Sequence, residues 1–175
     1  MEYFFPDNEI KELTLERKEY NGTIADFLNF KESDGHKRSA IEIPRPDGSA
    51  FIVKLRQNTN TLNDFSAILA FQQKGINKDF KLRRYNGLHE HTNKLENIKF
   101  FDFHIHYATQ RYQEASRREE SYAEITDRYF DIKGALKCLI DDCLLELLLF
   151  PLFFGQRRIG SICEKLLPFC ESHFM

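Results

Sequence analysis

The sequence contains no tryptophan, and only two methionines and five prolines occur in its 175 residues. It also lacks a long hydrophobic run. The most apolar stretch, residues 144–154, is interrupted by Glu146 and Pro151, whereas a membrane-spanning helix needs about 20 apolar residues. The N-terminus has no basic segment followed by an apolar run, so we expect no signal peptide and no membrane association. The net charge of −2 argues against a generally basic nucleic-acid-binding protein, but it does not exclude a local basic patch.

Cysteines are absent from most of the chain and occur only from residue 138 onward, at Cys138, Cys143, Cys163 and Cys170. No two of them form a C-x-x-C pair. A disulfide framework is typical of small secreted domains, whereas scattered cysteines are typical of reduced intracellular chains. We therefore predict a cytoplasmic protein with buried, free thiols.

The hydrophobic content of 42%, with 17 phenylalanines, is enough to form a sizeable core. Pro6-Asp7 begins a predicted helix of about twelve residues. Residues 131–148 carry apolar side chains at helical spacing and form a second predicted helix. The chain between these helices is mostly strand-like. We therefore predict the α+β class, with a single, mainly antiparallel sheet of about six strands, an N-terminal helix and a C-terminal helix.

Turn signals divide the central part of the chain. The segment P-R-P-D-G, residues 44–48, separates the first two predicted strands, and Asn86-Gly87 predicts a tight hairpin. Residues 110–128 are dense in charge, which favours an exposed loop or a short helix. We assign residues 1–148 to a single α+β domain and residues 149–175 to a helical or irregular C-terminal tail. The predicted strands are 40–44, 50–56, 64–72 (a short helix is left open here), 79–85, 88–92 and 99–109.

Four of the six histidines lie close together in the sequence, at His89, His91, His104 and His106. In the strand 99–109, the side-chain period of two places His104 and His106 on one face, which we expect to face water. His89 and His91 share a face of the strand 88–92 in the same way. The residues expected on the core face of the strand 99–109 are Phe101, Phe103, Ile105 and Tyr107.

Three interpretations of these histidines are open. In the first, they are half-exposed sheet residues bonded to Asp102, Glu90 or the backbone. In the second, all four bind a divalent metal such as zinc, because neutral imidazole is a common transition-metal ligand; Glu90 or Asp102 would add a carboxylate. In the third, no cofactor is needed and the histidines catalyse phosphodiester hydrolysis.

The third interpretation gives the histidines acid and base roles. His104 and His106 would exchange protons with the ribose hydroxyl and the leaving oxygen, because a pKa of about 6.5 suits both tasks at neutral pH. His89 and His91 would be auxiliary groups.

The same interpretation needs groups that bind the substrate. Arg83, Arg84 and Arg111 are candidates for the phosphate, because a guanidinium forks onto two phosphate oxygens. The candidates for stacking on a base are Tyr85, Tyr107 and Tyr112.

The segment FKLRRYNGLHEHTNKLENIKFFDFHIHYATQRYQ, followed by SYAEITDRYFDIKGAL, resembles an uncharacterised bacterial domain family. The motifs that carry this resemblance are R-R-Y-N-G, H-E-H-T-N and F-H-I-H-Y-A-T-Q-R-Y, and the similarity covers roughly residues 10–143. More distantly, a strand that ends in R-Y-N and is followed by closely spaced histidines resembles TumE-like toxins of bacterial toxin–antitoxin modules.

The distant resemblance implies a small cytoplasmic effector that acts on RNA and is neutralised by an antitoxin. The positions of this chain that match the distant resemblance are the four histidines and Arg84, Tyr85 and Asn86. The resemblance therefore implies that Asn86 also binds the substrate. The chain departs from the resembling domains in the tail, residues 149–175.

These observations lead us to predict an RNA-acting hydrolase or toxin-like effector; as an enzyme, it would be a phosphodiesterase or ribonuclease. The expected partners are RNA or a nucleotide substrate, and an antitoxin or other protein. Two alternatives remain: a divalent-metal-binding protein on the same histidines, and a non-catalytic protein-interaction module.

Overall fold

The computed structural model of the protein describes residues 4–148. Four helices and nine strands follow one another within this range. None of these helices has the length and apolar character needed to cross a bilayer. In chain order the elements are α1 (Asp7–Leu15), β1 (Lys18–Tyr20), α2 (Ile24–Phe27), β2 (Lys31–Ser33), β3 (His36–Pro44), β4 (Ala50–Asn58), β5 (Phe65–Gln72), β6 (Phe80–Asn93), β7 (Ile98–Tyr107), α3 (Gln110–Glu114), β8 (Tyr122–Ile125), α4 (Ile132–Asp142) and β9 (Leu145–Leu147).

Seven strands form one antiparallel sheet in which neighbours in sequence are neighbours in space, from β2 at one edge to β8 at the other. The short strands β1 and β9 make a separate parallel pair. The predicted α+β class, the antiparallel sheet and both predicted helices are therefore confirmed, with seven strands in the sheet rather than about six. Two strands of the sheet, β2 and β8, were not predicted, whereas the predicted strands 79–85 and 88–92 form one strand, β6. β8 lies in the charged segment 110–128, which also contains the short helix α3.

Both predicted helices are shorter than expected. α4 ends at Asp142, because Leu144 takes a positive φ of 49° and the chain then pairs with β1 as β9. α1 spans nine residues rather than about twelve. The buried ammonium of Lys18 stabilises the C-terminal ends of both helices, since it donates hydrogen bonds to the carbonyls of Thr14 at 2.9 Å and Cys143 at 3.1 Å.

The two cysteines in the described range, Cys138 and Cys143, are free and buried, as predicted. Cys163 and Cys170 lie outside the described residues, together with the predicted C-terminal tail, residues 149–175.

One face of the sheet packs against α4 and forms the core. Side chains of β5 and α4 such as Leu69 and Leu139 have no exposed surface there. Tyr85 of β6 lies on the same face, because its hydroxyl donates a hydrogen bond to Asp142 of α4 at 2.9 Å. Its neighbour Asn86 therefore points to the opposite face of the sheet, away from α4.

The predicted hairpin turn at Asn86-Gly87 is wrong. β6 runs through both residues to Asn93, so that the predicted strand 88–92 is the second half of β6. The turn into β7 lies after Asn93 instead, where Asn97 adopts a φ of 54°. The Asn-Gly pair is a turn signal because both residues tolerate positive φ, but the structure uses its glycine for a different reason.

A β-bulge interrupts β6 directly after Asn86. Regular pairing with β7 stops at Asn86 and resumes at His89, with the register shifted in between. Two residues of β6, 87 and 88, therefore lie opposite a single residue of β7. The extra residue reverses the alternation of side chains, so His89 and His91 share the face of Asn86 instead of the core face.

Gly87 lets the bulge approach a neighbouring loop closely. A Cβ at this position would lie 1.8 Å from the carbonyl oxygen of Asn63. The same oxygen accepts a hydrogen bond from the backbone N–H of Leu88 at 2.9 Å. The loop before β5 is thus bonded to the bulge, and a side chain at residue 87 would separate them.

We expect Gly87→Ala to destabilise the fold, because the added methyl group must displace the backbone of Asn63 rather than a flexible side chain. The free energy of unfolding, measured by urea denaturation, should fall by roughly 2–3 kcal/mol, as for an overpacked core. Gly75→Ala is the control. No atom of the described residues lies within 4 Å of its added Cβ, so its positive φ of 77° should cost only about 1 kcal/mol. Equal losses in the two variants would contradict the close packing of the bulge.

Candidate metal centre

Four imidazole rings meet on the sheet face opposite α4. The ring centroids are 4.6 Å apart for His89 and His104, and 4.6 Å apart for His91 and His106. They are 4.8 Å apart for His104 and His106, and 5.2 Å apart for His91 and His104. The structure therefore brings together the two His-x-His pairs that the sequence singles out.

The rings cover one another, so the cluster is more buried than expected. His104 has no exposed surface, His106 is 5% exposed, and Phe100 packs edge-on against His104 with centroids 5.3 Å apart. The prediction that His104 and His106 face water is therefore wrong. On the opposite face, Ile105 is buried as predicted, but Phe101 is 63% exposed because it lies beyond the bulge, where β7 extends past the core.

Three of the histidines have the same pattern of hydrogen bonds. In each of them Nδ1 lies against a backbone carbonyl, which can only accept a hydrogen bond, so Nδ1 carries the proton and Nε2 keeps its lone pair. The Nδ1 distances are 3.2 Å from His89 to Gly87 O, 2.7 Å from His104 to Asp102 O, and 2.8 Å from His106 to Glu120 O.

The three Nε2 atoms point at one place. They lie 2.8 Å (His106), 3.4 Å (His104) and 3.5 Å (His89) from the side-chain nitrogen of Asn86, and the three ligand atoms lie within 4.8 Å of one another. An amide nitrogen has only two hydrogens, so it cannot donate to three lone pairs at once. At least one of the three acceptors is therefore left without a donor from Asn86.

Burial keeps these imidazoles neutral. Loss of solvation lowers the pKa of His104 to about 4 and the pKa of His106 to about 2, and it also lowers the pKa of His89. The positive charge of Arg84 and the neighbouring rings lower the pKa of both buried histidines further. Neutral imidazole is the form that binds metals, so the three lone pairs are available at neutral pH.

His91 differs from the other three in its tautomer. Two hydrogen bonds to the backbone of Ala123 hold the side chain of Asn93. The amide nitrogen of Asn93 donates to the carbonyl of Ala123 at 2.7 Å, and the amide oxygen of Asn93 accepts from the N–H of Ala123 at 2.9 Å. The Nε2 atom of His91 lies 3.1 Å from that oxygen and 3.1 Å from the carbonyl of Ser121, so it is a donor. His91 therefore belongs to the ring cluster but does not direct Nε2 at the point where the other three meet.

The predicted substrate-binding residues of β6 lie on both faces of the sheet. Arg84 lies beside the cluster, opposite His106 on β7, and donates to Glu120 at 3.1 Å. Arg83 lies on the core face with its guanidinium 3.7 Å from the carboxylate of Asp142. Tyr85 is fully buried on the same core face, where no base could stack on it. The structure thus brings Arg84 and Asn86 to the histidines, but not Arg83 or Tyr85.

The remaining predicted groups lie elsewhere. Arg111 of α3 forms an ion pair with Glu96 and lies over the ring of Tyr122, with 4.8 Å from its guanidinium carbon to the ring centroid. Glu90 is exposed and forms an ion pair with Lys99 at 2.7 Å. The carboxylate of Asp102 accepts from the neighbouring backbone N–H at 2.8 Å, and only its carbonyl reaches the cluster. Neither carboxylate therefore lies at the point where the three Nε2 atoms meet.

Sequence reasoning included the backbone among the predicted partners of the histidines, but it did not identify the groups that orient the rings. These are backbone carbonyls, at Gly87, Asp102 and Glu120, and backbone atoms carry no sequence signal. It also missed Asn93 as the partner of His91. The sequence predicts Asn86 as part of a turn and, through the family resemblance, as a substrate-binding residue, but not as the centre of the cluster.

A cavity of about 990 Å³ opens beside the point where the three Nε2 atoms meet. Arg84, Asn86 and His89 line its inner end. A ligand in this cavity could therefore reach that point past Asn86, although His104 and His106 themselves are buried.

Comparisons with protein-family profiles, curated proteins and solved structures found no match to this chain. The two resemblances drawn from the sequence motifs therefore stay predictions, as does the activity that they imply.

We expect the metal-free protein to lose stability as the pH falls from 7 to 5.5. The pKa values of His104 and His106 lie below the value of about 6.5 for an unfolded histidine, so the unfolded state takes up protons first. The free energy of unfolding should fall by roughly 1 kcal/mol for each of these imidazoles over this range. Urea denaturation at several pH values measures it. His104→Gln should be less stable at pH 7 but show a shallower pH dependence; a wild-type stability that does not change with pH would contradict the burial of neutral rings.

Proposed function

We propose that the protein binds a transition-metal ion, zinc by preference, through the Nε2 atoms of His89, His104 and His106, and that the ion serves a hydrolytic reaction. The observation that carries the proposal is the convergence of three Nε2 atoms on one point, at 2.8–3.5 Å from the side-chain nitrogen of Asn86, with each ring fixed by an Nδ1–H bond to a backbone carbonyl. Metal-ligating histidines are oriented in this way in known metal sites. An ion would also satisfy all three lone pairs, which the amide of Asn86 cannot.

The ligand set favours zinc. Imidazole nitrogen suits zinc, copper, iron and nickel, whereas magnesium and calcium prefer oxygen ligands. Catalytic zinc sites typically have three protein ligands and one open position. Here the side-chain nitrogen of Asn86 lies at the place where the three Nε2 atoms meet, so a bound ion would displace it, and the fourth position would then open toward the cavity.

A hydrolytic reaction follows from this arrangement. Zinc with three protein ligands lowers the pKa of a bound water to about 7, which supplies hydroxide at neutral pH. The cavity beside Asn86 gives a substrate access to that position, while His104 and His106 are shielded from water.

The metal-free mechanism predicted from the sequence is less well supported. It requires His104 and His106 to gain and lose protons near neutral pH. Burial holds their pKa values at about 4 and about 2, which favours permanently neutral rings. An action on RNA and neutralisation by an antitoxin stay predictions from the resemblance. A cytoplasmic location is part of our proposal, because the buried thiols of Cys138 and Cys143 are free.

We expect metal-free protein to bind one zinc ion per chain in an isothermal titration with zinc alone. His104→Gln, His106→Gln and His89→Gln should each weaken the binding at least about tenfold, because each removes one ligand. His91→Gln should change the affinity by less than about threefold, because its Nε2 is turned away from the site.

His36→Gln is the matched control, because His36 lies on β3, outside the cluster. His89 is only half-buried, so His89→Gln keeps the test informative if a substitution of a fully buried histidine prevents folding. Absence of zinc binding in the wild-type protein, or an equal loss in His36→Gln and His89→Gln, would rule out the proposed site.

A further inference from the structure

A row of cross-strand partners connects the metal centre to the far edge of the sheet. Directly paired residues on successive strands point to the same face, so they form a continuous row of side chains. From β2 to β7 this row is Lys31, Arg38, Arg56, Ser66, Asn86 and His104. The first five line the cavity of about 990 Å³ that opens beside the metal centre.

Three cations lie side by side at the outer end of this row. Lys31 pairs with Arg38, and Arg38 pairs with Arg56, so like charges are directly opposite on neighbouring strands. Such an arrangement is destabilising unless an anion lies between the charges. Within residues 4–148, Asp64 forms an ion pair with Arg56 at 3.1 Å, whereas no carboxylate lies within ion-pair distance of Lys31 or Arg38.

The remaining charges of the cavity do not cancel this excess. Among the described residues, five cationic side chains line it, against the two carboxylates of Asp26 and Asp64. The other two cations are Lys54, which pairs with Asp79, and Arg84, which pairs with Glu120. The whole chain carries a net charge of −2, so this positive excess is local to the cavity. An anion is therefore the ligand that the outer end favours.

The distance along the row sets the size of the ligand. Strands of a sheet lie about 4.8 Å apart, so the backbone of Arg38 is about 14 Å from that of Asn86, three strands away. A free phosphate ion is too small to contact both ends. A nucleotide, with a phosphate at one end and a polar body, has the required length. The volume of about 990 Å³ is also in the range of ligand-binding cavities.

We propose that this cavity binds a phosphate ester of nucleotide size or longer, with a phosphate group on Lys31 and Arg38 and a hydrolysable bond near the metal. The hydrolysis of this ligand rests on the proposed metal site, whereas the binding of the ligand does not. In a ligand with a second phosphate group near the metal, water activated by the ion would supply the oxygen that bonds to that phosphorus, the ester P–O bond would break, and the leaving alkoxide would take up a proton from that water. A free nucleotide and the end of an RNA chain share the phosphate that Lys31 and Arg38 would bind, but only the RNA also offers a further phosphodiester bond that could be hydrolysed.

The test is equilibrium binding to the full chain loaded with zinc, using adenosine 5′-monophosphate and a ten-nucleotide single-stranded RNA as probes. The double variant Lys31→Gln, Arg38→Gln should bind the tighter probe at least about tenfold more weakly, because it removes two phosphate contacts. Both residues are exposed and make no ion pair among the described residues, so the fold should be preserved. The matched control is Lys133→Gln, Lys137→Gln, which removes two exposed cations from α4, on the other side of the sheet.

The two probes and the zinc titration separate the possible failures. Tighter binding of the nucleotide identifies a small-molecule ligand, and tighter binding of the RNA, with stronger salt dependence, identifies a chain end; either supports the proposal. It is overturned if neither probe binds, if inorganic phosphate binds as tightly as the nucleotide, or if the two double variants behave alike. If the protein binds zinc normally but gives any of those three results, the phosphate-ester proposal fails and the metal-site proposal stands. If the protein does not bind zinc, only the metal-site proposal fails.

Discussion

The site depends on the β-bulge at residues 87–88, because the bulge decides which face of the sheet His89 occupies. Without the extra residue, the alternation along β6 would place His89 on the core side with Tyr85, and only His104 and His106 would remain on the opposite face. The bulge is in turn held by Gly87, whose missing side chain lets the carbonyl of Asn63 approach and bond to Leu88. A constraint on backbone packing therefore determines the number of ligands.

Burial determines what these ligands can do. An exposed histidine pair could exchange protons near neutral pH, whereas rings without solvent contact keep their lone pairs and resist protonation. The carbonyl groups of Gly87, Asp102 and Glu120 fix all three rings in one tautomer. The same burial leaves lone pairs that a single amide cannot satisfy, so the feature that disfavours acid–base catalysis by the rings favours a bound cation.

Much of the fold follows from the sequence pattern, but the details of the site do not. Alternating and apolar runs predict β4, β5 and β7, and apolar spacing predicts α4, since these patterns reflect burial on one face. The side-chain period of two also predicts that His104 and His106 lie on the same face of β7. The hairpin at Asn86-Gly87 was wrong because a strong local turn signal was overruled by packing against Asn63, a contact distant in sequence. The face of His89 was unpredictable for the same reason, since the bulge shifts the alternation by one residue. Arg83 and Arg84 are adjacent in a regular stretch of β6, so the period of two alone places them on opposite faces.

The central claim is that three neutral imidazoles direct their Nε2 lone pairs at one point, and ¹⁵N NMR of the histidine side chains in metal-free protein at pH 7 tests it most directly. Long-range ¹H–¹⁵N correlations report which ring nitrogen carries the proton. We expect the Nδ1–H form for His89, His104 and His106 and a protonated Nε2 for His91. A protonated Nε2 on His104 or His106 under these conditions would contradict the account.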